Sequence, residues 1–174
     1  MPIREPENPR TRTRVVAENS LEVVVFELGG QLFGVPASDV RELLRAVAVA
    51  PLPGAPAVVK GVINLRGRVV PVLDVRTRFR IPSKVIEPSD HFIVARARDR
   101  LVALHVDRAT DLIRVNLTDL EAAQVLVPST EYITWVAKVP NNLVLIHDLA
   151  TFLSHAEAEA LAEALPAAAP GEER

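Results

Sequence analysis

Residues 61–75 read GVINLRGRVVPVLDV. Two runs of β-branched and aliphatic residues flank Arg66-Gly67-Arg68, so the stretch predicts two strands joined by a tight hairpin with a cationic tip. Two readings of that tip stand side by side. Charged hairpin tips serve solubility on any β-rich protein. A guanidinium also carries a fixed fork of donors, which suits Arg66 to an acidic or backbone partner on another molecule. Gly61 interrupts the first strand and Pro71 the second. The glycine marks a bulge or a close backbone approach, as does Gly34 further upstream, and the proline predicts an edge or bulged strand.

Composition agrees with a β-rich fold. Of 174 residues, 49% are hydrophobic but only 4% aromatic, so the core is built from Val, Leu, Ala and Ile. No cysteine is present, which excludes disulfides, thiolate metal sites and cysteine nucleophiles. The opening MPIREPENPRTRTR lacks the apolar run of a secretory signal, and no later stretch is long and apolar enough for a membrane span. The expected location is the cytoplasm, with no direct membrane insertion. A formal net charge of −2 argues against nucleic acid or a membrane surface as the main partner.

Along the chain, residues 1–20 read as a flexible tail, with Pro2, Pro6 and Pro9 opposing helix. LEVVVFEL and QLFGV around Gly29-Gly30 predict a first hairpin. In SDVRELLR, Ser38 or Asp39 can cap, Glu42 completes a capping box, and Val40, Leu43, Leu44 and Val47 fall at helical spacing, so a short helix is predicted over 38–46. PLPGAP (51–56) and residues 81–89 are proline-marked loops. HFIVARA, RLVALHV and ATDLIRV predict three more strands, with Arg98-Asp99 at the first turn, and NLTDLEAAQ is irregular or a short turn of helix. YITWVAKV and NLVLIHD predict a last hairpin around Pro140-Asn141-Asn142, followed by a helical pattern from Asp148 and a tail, PAAAPGEER.

Sliding the chain against itself lays Val62 over Val136, Val70 over Val144, Val72 over Ile146 and Asp74 over Asp148. A neighbouring offset lays GGQLFGV over RDRLVAL and RELLR over TDLIR. The order of matches is the same in both copies, which predicts two similar β units, about 21–80 and 90–153. Each is too small for a good core of its own, so the two pack together.

Chemistry finds little support. His105 and Asp107 share a strand face and would allow a metal pair, but no third ligand is near in sequence; a surface or interface histidine is the plainer reading. Asp148 is best explained as a helix cap after His147. Ser83-Lys84 has no glycine elbow, G-x-S-x-G, P-loop and G-x-G-x-x-G patterns are all missing, and Glu42 with Glu22 or Glu27 suggests no carboxylate pair. No catalytic, metal or cofactor site is predicted.

Taken in order, VVVFELGGQLFGV, V-R-E-L-L (40–44), PLPGAP, KGVINLRGRVVPVLDVRTRF (60–79), VALHVDRATDLIRV (102–115) and LVLIHDLATFL resemble the CheW family of chemotaxis coupling proteins. The resemblance spans residues 21–154, taken as one CheW-like domain, leaving 155–174 as a C-terminal helix and tail. It implies a mainly β fold of two intertwined five-stranded SH3-like barrels with short helices and a C-terminal helix. It also implies a non-enzymatic scaffold joining chemoreceptor cytoplasmic tips to the regulatory domain of a CheA-type histidine kinase, associated with receptor arrays at the membrane. Matched to the family's motifs, Val40, Glu42, Gly61, Asn64, Leu65, Arg66 and Gly67 form the receptor-binding groove, and the opening choice shifts toward Arg66 as a functional residue, with Arg68 a solubilising neighbour. Self-association or ring contacts in arrays stay open.

Two departures fall on the repeat partner of the Arg66 hairpin: Trp135 where the family has glycine, and His147 where it has an apolar residue. Both are places where a kinase or ring contact would be altered, and an exposed Trp135 would be a candidate anchor, with a core tryptophan the other reading. The competing functions are a divergent CheW-like module in a non-flagellar pathway, a small ligand- or nucleic-acid-binding β-barrel, and an enzyme. A nucleic-acid site would want aromatics interleaved with basic residues, and an enzyme a convergent titratable set.

Overall fold

The computed structural model describes residues 19–123 and 132–165. The tails predicted for 1–20 and 166–174 therefore lie, apart from residues 19 and 20, outside the described residues. Eleven strands are described. They are β1 (Ser20–Leu28), β2 (Gln31–Pro36), β3 (Val40–Arg45), β4 (Val59–Leu65), β5 (Arg68–Leu73) and β6 (His91–Ala97). β7 (Arg100–Val106), β8 (Arg108–Asn116), β9 (Leu120–Ala122), β10 (Ile133–Val139) and β11 (Asn142–His147) follow, with α1 (His155–Ala164) after them.

Two sheets result, in the orders β8-β1-β2-β11-β10-β9 and β3-β6-β7-β5-β4. The first sheet joins the opening hairpin β1–β2 to strands from the far part of the chain, and the second, built from the consecutive strands β3–β7, is inserted between them in sequence. β1 and β2 receive β8 antiparallel and β11 parallel, while β6 and β7 receive β3 antiparallel and β5 parallel. The barrels are thus intertwined, and the first carries β9 as an extra three-residue strand. Val23, Val25, Val115, Val144 and Ile146 fill the first barrel; Ile63, Val70, Val72, Phe92 and Val94 fill the second. A third and larger core, including Phe26, Phe33, Leu73, Ile93, Leu104, Phe152 and Leu161, draws on both sheets and on α1. Burial of this mostly aliphatic surface is the main favourable term.

The helix predicted over 38–46 is a strand. Only Ala37–Asp39 form a 3-10 turn, and its cap makes no side-chain hydrogen bond. Val40, Glu42 and Leu44 are half-buried while Arg41, Leu43 and Arg45 are exposed, a period of two. Pairing with β6, from Val40 opposite Ala95 to Arg45 opposite His91, outweighs the helical spacing. Pro71 also departs from expectation. β5 is an inner strand, and its pairing to β7 spans only Val72 and Leu73, so the missing proline N–H falls beside the bridge rather than within it. NLTDLEAAQ, read as irregular or a short turn of helix, holds the 3-10 turn Leu117–Asp119 followed by β9.

The expected close approaches are present. A Cβ on Gly34 would lie 2.4 Å from a Val23 methyl, and one on Gly61 2.2 Å from the Ala50 carbonyl oxygen. Gly61 stands at φ 148, where β4 slips register against β5 and bridges to Ala50 through Val62. Asp148 caps the 3-10 turn Leu149–Thr151 by accepting from the Ala150 N–H. α1 begins separately, at a Ser154–Glu157 capping box. Arg78 ties α1 to the body by pairing with Glu157 and donating to the Phe152 carbonyl.

Candidate functional site

The β4–β5 hairpin closes in two residues, with Leu65 opposite Arg68. Both turn residues have positive φ, 49° at Arg66 and 82° at Gly67, the pattern whose twist suits a tight hairpin. Glycine adopts it freely, whereas a side-chain-bearing residue pays about 1–2 kcal/mol. The Asn64 carboxamide oxygen accepts from the Gly67 N–H at 2.8 Å and braces the turn. From this tip Arg66 reaches across to β3 and grips Glu42 with both forks, at 3.2 and 2.9 Å. The pair spans from one edge strand of the second sheet to the tip hairpin at the other edge. The arginine side chain is 79% exposed and the carboxylate 25%, so the bond is open to exchange with an incoming partner.

Around this pair, Leu65 and Val40 are half-buried and Asn64 and Gly67 exposed. Gly61 is buried, and its place in the set is structural: it lets β4 lie against Ala50. Trp135 stands on the other barrel, 40% exposed, where β10 shifts register against β11. It is a surface tryptophan, not a core one. His147 is the opposite. It is 1% exposed and ringed by Phe26, Phe33, Phe79 and Phe152, so the reading of it as a contact surface is corrected: β11 ends inside the largest core, where both of its faces are covered. Burial pushes its pKa down to about 3.

His105 is likewise buried rather than at the surface, its Nε2 2.7 Å from Asp90. It belongs to a polar network that spacing did not reveal. Asp90 accepts from the Glu87 N–H at 2.9 Å and from Lys84 Nζ at 2.6 Å. Burial raises the Asp90 pKa, but these bonds outweigh it and hold it at about 2. Burial lowers that of His105, against the pull of Asp90. Ser83 donates to Asp74 at 2.6 Å, Lys60 lies 3.8 Å from the same carboxylate, and Arg76 pairs with Asp107. The network draws on four separate segments and pins the 81–90 loop to the second barrel. The Ser83 hydroxyl is thus taken up by a carboxylate that Lys60 also neighbours. Among the described residues no group of three or more His, Asp or Glu converges on a metal position.

The CheW-like domain family model matches residues 22–157. This chain belongs to the CheW family of chemotaxis adaptors. It is 27% identical over 153 residues to the chemotaxis protein CheW of Treponema pallidum, covering 84% of this chain and 90% of that one. It is 39% identical over 102 residues to that of Rhizobium meliloti, covering 58% and 64%. The crystal structure of the scaffolding protein TtCheW from Thermoanaerobacter tengcongensis superposes with a TM-score of 0.71 at 26% identity, covering 79% of this chain and 94% of that one. The chain is a scaffold adaptor of chemotaxis. Among the described residues no helix is long and apolar enough to cross a membrane.

Proposed function

We propose that this adaptor couples the cytoplasmic tip of chemoreceptors to the regulatory domain of a CheA-type histidine kinase, working in the cytoplasm within receptor arrays at the membrane. Receptor contact falls on Val40, Glu42, Asn64, Leu65, Arg66 and Gly67, with Gly61 setting the strand path beneath them. The observation that carries this reading is the exposed two-pronged Arg66–Glu42 pair at a hairpin tip. It holds a guanidinium and a carboxylate in fixed geometry facing solvent, ready to trade one partner for another. Trp135 is a second contact, an aromatic anchor for the kinase or a ring neighbour. The adaptor carries no reaction itself: receptor state reaches the kinase through differential contacts.

Sedimentation velocity with the regulatory domain of the CheA-like kinase from the same genome, and separately with a receptor signalling-tip fragment, tests this. Faster-moving complexes at micromolar concentration are expected in both mixtures. Unshifted boundaries in both would overturn the coupling role while leaving the fold intact.

A further inference from the structure

Glu42 and Arg66 line a cleft of about 450 Å³ in the second barrel. Its apolar wall is Leu65, Val94 and Leu101, and three further arginines, Arg41, Arg68 and Arg96, complete it. They come from three strands. β3 slips register against β6 between Val40 and Glu42, so Arg41 has no opposite number, and such a bulge re-aims its side chain. Arg68 stands opposite Leu65 beside the turn, and Arg96 opposite Leu101. All three are exposed, and among the described residues their side chains make no hydrogen bond or ion pair. Glu42 is the single carboxylate of the lining, and Arg66 already occupies it. Four guanidinium groups thus face one carboxylate in a chain whose formal net charge is −2. The positive charge here is local and does not follow from composition.

We propose that this cleft docks an acidic segment of a protein partner, with an apolar side chain seated against Leu65 and Leu101 and flanking carboxylates taken by Arg41, Arg68 and Arg96. Guanidinium forks match carboxylates in two-pronged geometry. A concave site in which arginines outnumber the carboxylate four to one concentrates the field that steers such a partner in. Cations carried by three strands around an apolar wall suit spaced carboxylates on either side of a hydrophobic residue better than one compact anion. This deepens the receptor-coupling reading and rests on it for the partner's identity.

The test is an NMR titration of the ¹⁵N-labelled full chain, wild type and the triple variant Arg41→Gln/Arg68→Gln/Arg96→Gln, with two probes: the receptor signalling-tip fragment and hexaglutamate. Circular dichroism of the variant should match wild type, because none of the three arginines is paired. Both probes should shift the amides of 41, 66, 68 and 96 in wild type. In the variant the affinity for the receptor fragment should fall roughly tenfold or more, with three exposed ion pairs removed, and its dependence on salt should flatten. Equal receptor affinity of the two chains, with no hexaglutamate shifts in the cleft, would overturn the proposal and leave receptor coupling standing. Cleft shifts with hexaglutamate but no receptor binding would overturn the coupling reading and uphold the acidic-segment chemistry.

Discussion

Replacing His147 with leucine should make the protein more stable and remove a defined share of its acid sensitivity. The imidazole stacks at 5.6 Å on Phe152 and lies 4.4 to 5.6 Å from Phe79, Phe33 and Phe26, and neither ring nitrogen has a hydrogen-bond partner. Its protonated form is excluded by burial alone, which takes the pKa from 6.5 to about 3. The unfolded chain therefore binds this proton as pH falls through about 6.5, while the folded chain refuses it until about 3. In that window the unfolded state holds more protons, so stability is full above 6.5 and declines steadily on acidification. At 1.36 kcal/mol per pH unit, moving from pH 7 to 4.5 removes on the order of 2 to 3 kcal/mol through this one side chain. Leucine fits the same space and deletes two unsatisfied polar atoms, a gain of about 1–3 kcal/mol at pH 7. Urea unfolding followed by far-ultraviolet circular dichroism, at pH 7 and 4.5 for both chains, measures each quantity. Other titrating groups, His105 and Asp90 among them, act equally in the two proteins and cancel in the difference. Equal loss of stability between the two pH values in wild type and His147→Leu would refute the reasoning.

Three further outcomes are expected. Arg66→Asn relieves a non-glycine residue at φ 49 and gives up an exposed ion pair, so chemical denaturation should show stability unchanged or raised by up to about 1 kcal/mol while receptor-tip binding is lost. Gly61→Val places a Cβ against the Ala50 carbonyl at a φ that valine avoids, and should cost about 3 kcal/mol or more in the same assay, with folding and binding failing together. Asp90→Asn weakens the hold on Lys84 and buried His105 and should cost about 2 kcal/mol at pH 7. Because the Asp90 pKa is held at about 2 against 3.8 unfolded, its contribution is full above 3.8 and lost as pH falls toward 2; melting temperatures of the variant across that range should fall less than those of wild type.

The strands were legible where apolar runs met turn residues, as at Gly29-Gly30, Arg98-Asp99 and Asn141, because such turns leave the backbone few choices. Segment 38–46 was not, since V-R-E-L-L has helical spacing and no apolar–polar alternation: Glu42 is half-buried and Leu43 exposed, and it is the pairing to β6 that makes it a strand. Topology brought Glu42 within reach of Arg66 across 24 residues, a pairing no local spacing encodes; the family resemblance put both in one groove without showing the bond. The Asp90 network and the arginines of the cleft depend in the same way on strands meeting from distant parts of the chain. His147, read from its departure from the family pattern as a place where a contact is altered, lies instead at the end of β11 inside a core that covers both faces of the strand.

The hairpin tips offer a comparison internal to the molecule. The β1–β2 turn uses two glycines and the β10–β11 turn places Asn141 at φ 62, both residue types that tolerate the left-handed region. The β6–β7 and β4–β5 turns instead place arginines there, at φ 57 and 49. Arg98 has an internal reason, donating to the Ala150 carbonyl at 2.9 Å and so joining the turn to the segment before α1. Arg66 has only a surface pair, worth about 0–1 kcal/mol, against a backbone cost of about 1–2 kcal/mol. Within the isolated fold that exchange runs at a loss. A residue held at such a cost, with its guanidinium 79% exposed at the rim of a cleft, is what the tip of a docking surface requires. The same balance explains why the Arg66→Asn variant should separate stability from coupling, the one gained or kept as the other is lost.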